Sequence, residues 1–260
     1  MRKNKALAIF SILVFAFLFV PLIIIAVTAF GEAATITFPI KGFTFKWFGN
    51  VFASPSFMDS LALSAKLALF ATLLALLVGI PAAYALARFT VKGKEILKSF
   101  FLSPTIVPGI VVGYSIFQFV VLKLQMPIFE SLLLGHFLVV LPYIIRIVGS
   151  SLEQFDFSIE EVAWSLGCNK IKTFFKIVLP NITSGISAAF MLAFINSFNN
   201  IPVSMFLKGP GISTLPTTLM NYIEYNYDPT VSAVSVLLML ATIVIMFVVE
   251  KTLGIAAFTK

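Results

Sequence analysis

Two stretches of this 260-residue chain carry polar side chains at spacings that could do chemistry. The first is Glu160 to Pro180, EEVAWSLGCNKIKTFFKIVLP, which sets paired carboxylates and lysines between two strongly apolar runs. The second holds Asn196, Asn199 and Asn200 at i, i+3 and i+4, which on a helix is one face. Neither pattern is built for covalent catalysis. Cys168 is the single cysteine, so an intramolecular disulfide and a paired-cysteine metal site are excluded. His136 is the single histidine and no carboxylates cluster around it, so no metal site and no catalytic residue is expected. The phosphate-loop pattern G-x-x-x-x-G-K-[ST] is missing, and the chain itself is not expected to bind or hydrolyse ATP. Amides buried in hydrocarbon need partners. The asparagines therefore either bond between helices, at about 0.6–2 kcal/mol each, or line a route for a polar solute, and their spacing leaves both readings open.

The elements that position these residues follow from composition. Sixty per cent hydrophobic and eleven per cent charged residues, with a mean hydropathy of +1.05, exceed what a soluble core needs. The fold class is all-α, a polytopic membrane protein. Runs such as Ala6 to Phe30 cross a hydrocarbon core of about 30 Å as helix, whereas barrel strands would be short and alternating. Six spans are predicted: Ala6 to Phe30, Ser60 to Ala87, Phe100 to Leu122, Ser131 to Val148, Ile182 to Val203 and Ser232 to Val249. The first is read as a span because it is long for a cleaved signal peptide. The net charge of +7 does not point to nucleic acid, because the basic residues sit in short inter-helix segments. Arg2, Lys3, Lys5, Arg88, Lys92, Lys94, Lys98, Arg146, Lys170, Lys172, Lys176, Lys251 and Lys260 fall on one side. The positive-inside rule then puts both termini and the Glu160 segment in the cytoplasm. Residues 1–260 read as a single transmembrane domain, with residues 158–180 as a cytoplasmic segment within it. Arg146 is expected to snorkel to the inner headgroups, and His136 to be a hydrogen-bonded packing residue. Gly31 to Asp59 and Lys208 to Thr230 form the larger outer loops, the second with Tyr222, Tyr225 and Tyr227.

Within the cytoplasmic segment, Ser158 followed by Glu161 reads as a capping box. Ile159, Val162, Ala163 and Leu166 recur as an apolar face opposite Glu160 and Trp164. Gly167 suits a left-handed position that ends a helix. A second short helix starts near Asn169, buries Ile171, Phe174, Phe175 and Val178, and stops at Pro180. Such a hairpin either floats on lipid or docks on a soluble partner.

Glu161, Ala163, Gly167, Ile177, Leu179 and Pro180 resemble the "EAA" signature of permease subunits of binding-protein-dependent ABC importers, with Val162 in place of its first Ala. The resemblance covers nearly the whole chain and implies a type I, MetI-like permease fold in a bacterial inner membrane. The segment is then the coupling helix that sits in a groove of the ATPase. The partners implied are two ATPase subunits that bind ATP and Mg, a second and homologous permease subunit, and an extracytoplasmic solute-binding protein; the chain needs no cofactor. Glu161 is expected to contact the ATPase, Gly167 to make the bend, and Phe174 with Pro180 to fix the hairpin against the spans. Asn196, Asn199 and Asn200 are candidates for the pathway. SPTIVPGIVVG, Ser103 to Gly113, is similar to the kinked third span of polyamine, iron(III) and phosphonate-type permeases. The spermidine/putrescine branch is the nearest resemblance, although SFNNIP has amides where that branch tends to carry acids. An aminophosphonate is the alternative solute. A motor-free secondary carrier would need membrane-embedded carboxylates, and none lies well inside a span.

Overall fold

A computed structural model describes residues 5–90 and 92–253; Arg2, Lys3 and Lys260, used above for topology, lie outside that range. The chain is helical nearly throughout. The uncharged opening run forms α1 (Lys5–Thr28) and is followed by a short α2 (Lys46–Ala53). Next come α3 (Pro55–Arg88), α4 (Lys94–Ile106) and α5 (Gly109–Ile116), the last prolonged by a π-helical turn over Phe117–Lys123. After α6 (Ile128–Glu153) the candidate segment supplies α7 (Ser158–Ser165), α8 (Lys170–Thr173) with a π-helical stretch Phe174–Val178, and α9 (Leu179–Asn181). The chain closes with α10 (Thr183–Phe198), α11 (Ile201–Phe206), α12 (Leu215–Tyr225) and α13 (Thr230–Leu253).

Among the described residues five helical stretches are long and apolar enough to cross a membrane: Leu7–Thr28, Pro55–Arg88, Ile128–Glu153, Thr183–Phe206 and Thr230–Val249. The expected third span is different. α4 and α5 meet at 93° across Val107 and Pro108, so Phe100 to Leu122 is a sharply bent pair, and the described spans number six, as expected, when that pair counts as one. Pro108 has no N–H to continue the ladder, and it keeps Val107 extended at φ −74°, ψ 131°. The expected outer loops also differ, since α2 and α12 form within them.

The helices make two compact units. One comprises the described residues up to Asp59 together with Thr218–Val244. In it the Thr28 hydroxyl donates to Ser232 Oγ at 3.1 Å and the buried Trp47 indole donates to the Gly31 carbonyl at 2.6 Å. Phe30 gathers Phe43, Phe45 and Phe48 at ring distances of 5.1–5.5 Å. Tyr222 donates to Asp228, while Tyr225 and Tyr227 stay exposed.

The other unit comprises Ser60–Thr217 and the described residues from Ile245 onward. α6 is its centre, with α4, α5, α10 and α11 packed on it. Lipid gives little hydrophobic drive between helices, so close approach of small residues must supply the packing. Ala71, Ala75, Ala189 and Ala193 are accordingly fully buried. A Cβ on Gly79 would come within 2.7 Å of Ile144 Cγ2, and one on Gly113 within 2.9 Å of the Pro202 carbonyl. This packing sets the ends of α3 and α6, and those ends hold the candidate segment.

Candidate functional site

The segment starts on a cap other than the expected one. Ser158 makes no side-chain cap; instead its backbone N–H donates to Asp156 Oδ1 at 2.9 Å, and Glu161 turns away to an arginine. Asp156 lies two residues before the first residue of α7, and its short side chain reaches the free amide directly. That bond holds the Asp156 carboxyl below its usual range, because the N–H stabilises the charged form.

The expected faces of α7 are largely reversed, with only Ala163 of the apolar set turned inward. Glu160 is completely buried, and Ile159, Val162 and Leu166 are exposed at 45%, 58% and 80%. A buried carboxylate needs a cation and donors, and α3 provides them. Arg88 Nε meets Glu160 Oε2 at 2.9 Å while Arg88 Nη2 meets Glu161 Oε1 at 2.9 Å. The Tyr84 hydroxyl donates to the other Glu160 oxygen. The guanidinium also lies over Phe157 and Trp164, 5.4 and 5.3 Å from their ring centres, a stacked position suited to its flat, weakly hydrated face. Tyr84, Arg88, Glu160 and Asp156 are the residues that sequence reasoning missed as site residues. A signal existed: Tyr84 and Arg88 stand at i, i+4 on the last turn of an apolar run, one donor and one cation on the same face.

Gly167 turns the chain as expected. Its φ is +86°, and the Gly167 N–H donates to the Trp164 carbonyl at 2.9 Å while Cys168 N–H donates to the Ala163 carbonyl at 3.0 Å. That bond pair is a complete Schellman ending. Asn169 then caps α8 by accepting from the Lys172 N–H at 2.7 Å. Beyond it the expected burial holds in part: Val178 is buried and Phe174 packs edge-on against Tyr84 at 4.9 Å, but Ile171 and Phe175 are exposed. Pro180 does not end the helical path. The π-helical stretch ahead of it widens the spiral, and the chain continues through α9 with the Asn181 side-chain amide donating to the Ile177 carbonyl at 2.7 Å. Ala163 is buried, Ile177 and Leu179 are half-buried, and Pro180 is exposed. The result is a hairpin pinned to α3 by Glu160 and Phe174 that shows solvent five apolar side chains: Ile159, Val162, Leu166, Ile171 and Phe175.

The asparagines do not share one continuous helical face, because α10 stops at Phe198. Asn200 is the cap of α11, accepting from the Val203 N–H at 3.0 Å, and Asn196 donates to its own helix at the Leu192 carbonyl, 2.9 Å away. Asn199 sits exposed at the break. The two half-helices are bridged instead by buried His136, whose Nδ1 lies 2.8 Å from Ser197 Oγ and whose Nε2 lies 3.0 Å from Ser204 Oγ. Both ring nitrogens are satisfied, as a packing histidine requires.

Helices assembled in this way define the architecture of an ABC importer's membrane subunit. The crystal structure of a bacterial ABC transporter that imports the acidic polysaccharide alginate superposes with a TM-score of 0.74 at 18% identity, covering 96% of this chain and 98% of that one. An inward-facing methionine ABC transporter structure, MetNI, gives a TM-score of 0.59 at 15% identity over 80% of this chain and 100% of that one. The chain belongs to the family of binding-protein-dependent transport system inner membrane components, whose model matches residues 75–253. It is thus a multi-pass inner-membrane permease subunit of an ABC importer. Among curated relatives, the spermidine/putrescine permease protein PotC of Escherichia coli (strain K12) is 29% identical over 90% of this chain and 89% of its own length. The putrescine permease protein PotI of the same strain is 28% identical over 90% and 85%. A putative 2-aminoethylphosphonate permease protein, PhnV of Salmonella typhimurium, is 28% identical over 96% and 95%.

Proposed function

We propose that this permease is half of a pathway for a polyamine, driven by two ATPase subunits that grip the α7–α8 hairpin from the cytoplasm. The other half is a homologous permease, cargo arrives on an extracytoplasmic binding protein, and ATP and Mg are bound by the ATPases, so that this chain needs no cofactor and catalyses nothing. Both termini are cytoplasmic in this reading. The observation that carries the coupling role is the set of exposed apolar side chains, Ile159, Val162, Leu166, Ile171 and Phe175, on a hairpin whose Glu160 is turned inward onto Arg88. Exposed apolar residues on a firmly anchored element suit a protein groove, and the two anchors carry force from that groove into α3. Ala163, Ile177 and Leu179 hold the hairpin's shape, and Glu161, exposed beyond Arg88, is placed to reach the ATPase. The polyamine assignment is supported by the PotC and PotI relatives. Asn196, Asn199 and Asn200 then offer amide oxygens to ammonium protons at the break between α10 and α11. The PhnV relative supports an aminophosphonate as the second reading.

Two measurements test this. Phe175→Asp or Leu166→Asp should abolish co-purification of the ATPase while leaving the thermal stability of the chain unchanged; retention of the ATPase would overturn the coupling role. Calorimetry on the partner binding protein decides the solute: tight spermidine or putrescine binding is expected, and tight aminophosphonate binding without it would replace the polyamine.

A further inference from the structure

A cleft of about 280 Å³ lies where the end of α3, α4 and α6 meet, far larger than the roughly 30 Å³ share of one water. Its floor is apolar, with Leu86, Leu102 and Ile145, and its charged residues are Lys98, Arg146 and Glu153. Lys98 meets Glu153 at 3.3 Å with both side chains exposed. Arg146 is different. It stands on α6 about two turns before the helix ends at Glu153, inside a span, and it forms no ion pair among the described residues. A cation at that depth requires an anionic partner or water, and within this cleft the cations outnumber the one acid. α4 adds a second, independent indication. It has no buried residue, it exposes Ile96, Phe100 and Ile106 and carries the half-exposed Lys94 and Lys98, and it turns away from α5 by 93°. Those features describe a helix lying in the membrane interface, apolar side chains among the acyl chains and lysines at headgroup depth.

The geometry points to a binding site for one anionic phospholipid, its phosphate between Arg146 and Lys98 and an acyl chain along Leu86 and Leu102. A free phosphate would satisfy the cations and leave the apolar floor bare, whereas a phospholipid covers both. Basic clefts between spans hold anionic headgroups by this arrangement. The site depends on the chain being in a membrane and not on motor coupling; only the choice of the cytoplasmic leaflet rests on the orientation proposed above.

Native mass spectrometry of the purified full chain, released from micelles holding equal phosphatidylglycerol and phosphatidylcholine, provides the test. Phosphatidylglycerol should be retained over phosphatidylcholine, and Arg146→Gln should cut that preference about fivefold, the factor set by about 1 kcal/mol per basic residue. Lys98→Gln should cut it similarly. Arg146→Lys should keep it, and Glu153→Gln, which frees Lys98, should raise it. If Arg146→Gln fails to fold, the Lys98→Gln and Glu153→Gln pair decides. Equal retention of both lipids by the unaltered chain overturns the site, as does an undiminished preference in the glutamine variants. Displacement of phosphatidylglycerol by millimolar inorganic phosphate would show a soluble-anion site and overturn the lipid. Loss of ATPase co-purification leaves this result untouched, so the two proposals fail separately.

Discussion

Glu160 and Glu161 are neighbours in sequence and stand in different dielectrics. The Glu160 side chain is wholly out of water and shares Arg88 and Tyr84, while the Glu161 side chain is 61% exposed. Removing one member of a buried pair strands the other charge, whereas an exposed pair contributes about 0–1 kcal/mol. Because Arg88 keeps Glu161 as a partner, Glu160→Gln should destabilise the chain by about 1–3 kcal/mol through its lost charged hydrogen bonds, read as a lowered Tm in detergent, and Glu161→Gln should leave Tm nearly unchanged. Equal effects would show that Arg88 does not discriminate between them. Asp156 gives a pH-dependent counterpart. Its carboxyl is held below the usual range in the folded chain by the Ser158 N–H, so the stabilisation is complete above the unfolded carboxylate value and is lost as pH falls through the folded one. The acid side of a Tm-against-pH curve should accordingly be flatter for Asp156→Ala than for the native chain. The signature residues stand out in the sequence through their resemblance to the family motif. Glu160's burial does not, because which face of a short helix turns inward depends on an arginine 72 positions earlier in the chain.

At the scale of elements, turn chemistry was legible and helix continuity was not. Gly167 and Asn169 announce a helix end and a helix start through residue type, and φ +86° with the Schellman bonds is what that pair produces. The bend after Ile106 was legible only as a kink and not as a 93° turn, and the asparagines around Asn199 were read as one helical face, since residue type and hydropathy signal a weak point without giving the angle or the break. Gly167 has open space around a hypothetical Cβ, so substitution there acts through the backbone and not through a clash. Gly167→Val should introduce about 1–2 kcal/mol of left-handed strain and re-aim α8. Gly167→Asn should be tolerated, since Asn enters that region readily. ATP-driven uptake in reconstituted vesicles should be lost in the first and largely kept in the second. If both fail alike, glycine is needed for room against the ATPase; if both transport normally, the bend does not set coupling.

At the scale of the whole molecule, the remaining question is which way the chain faces, and Cys168, the single cysteine, reports on it. It lies half-buried in the turn between α7 and α8, next to exposed Gly167 and Leu166. Basic residues concentrate at this end of the spans: Arg88 closes α3, Lys94 and Lys98 follow on α4, and Lys170, Lys172 and Lys176 follow the turn. In the orientation proposed from the positive-inside rule such an end lies in the cytoplasm, where the proposed motor would reach the hairpin. A membrane-impermeant maleimide should therefore leave Cys168 unmodified in intact spheroplasts and modify it in inverted vesicles stripped of peripheral proteins. Adding back the ATPase subunits should slow the modification, because a groove that covers Leu166 also covers the adjoining turn. Labelling of intact spheroplasts would invert the topology and with it the motor contact. Labelling confined to inverted vesicles but indifferent to the ATPase would keep the topology and move the contact off the turn, toward Ile159 and Phe175 at the other end of the exposed face.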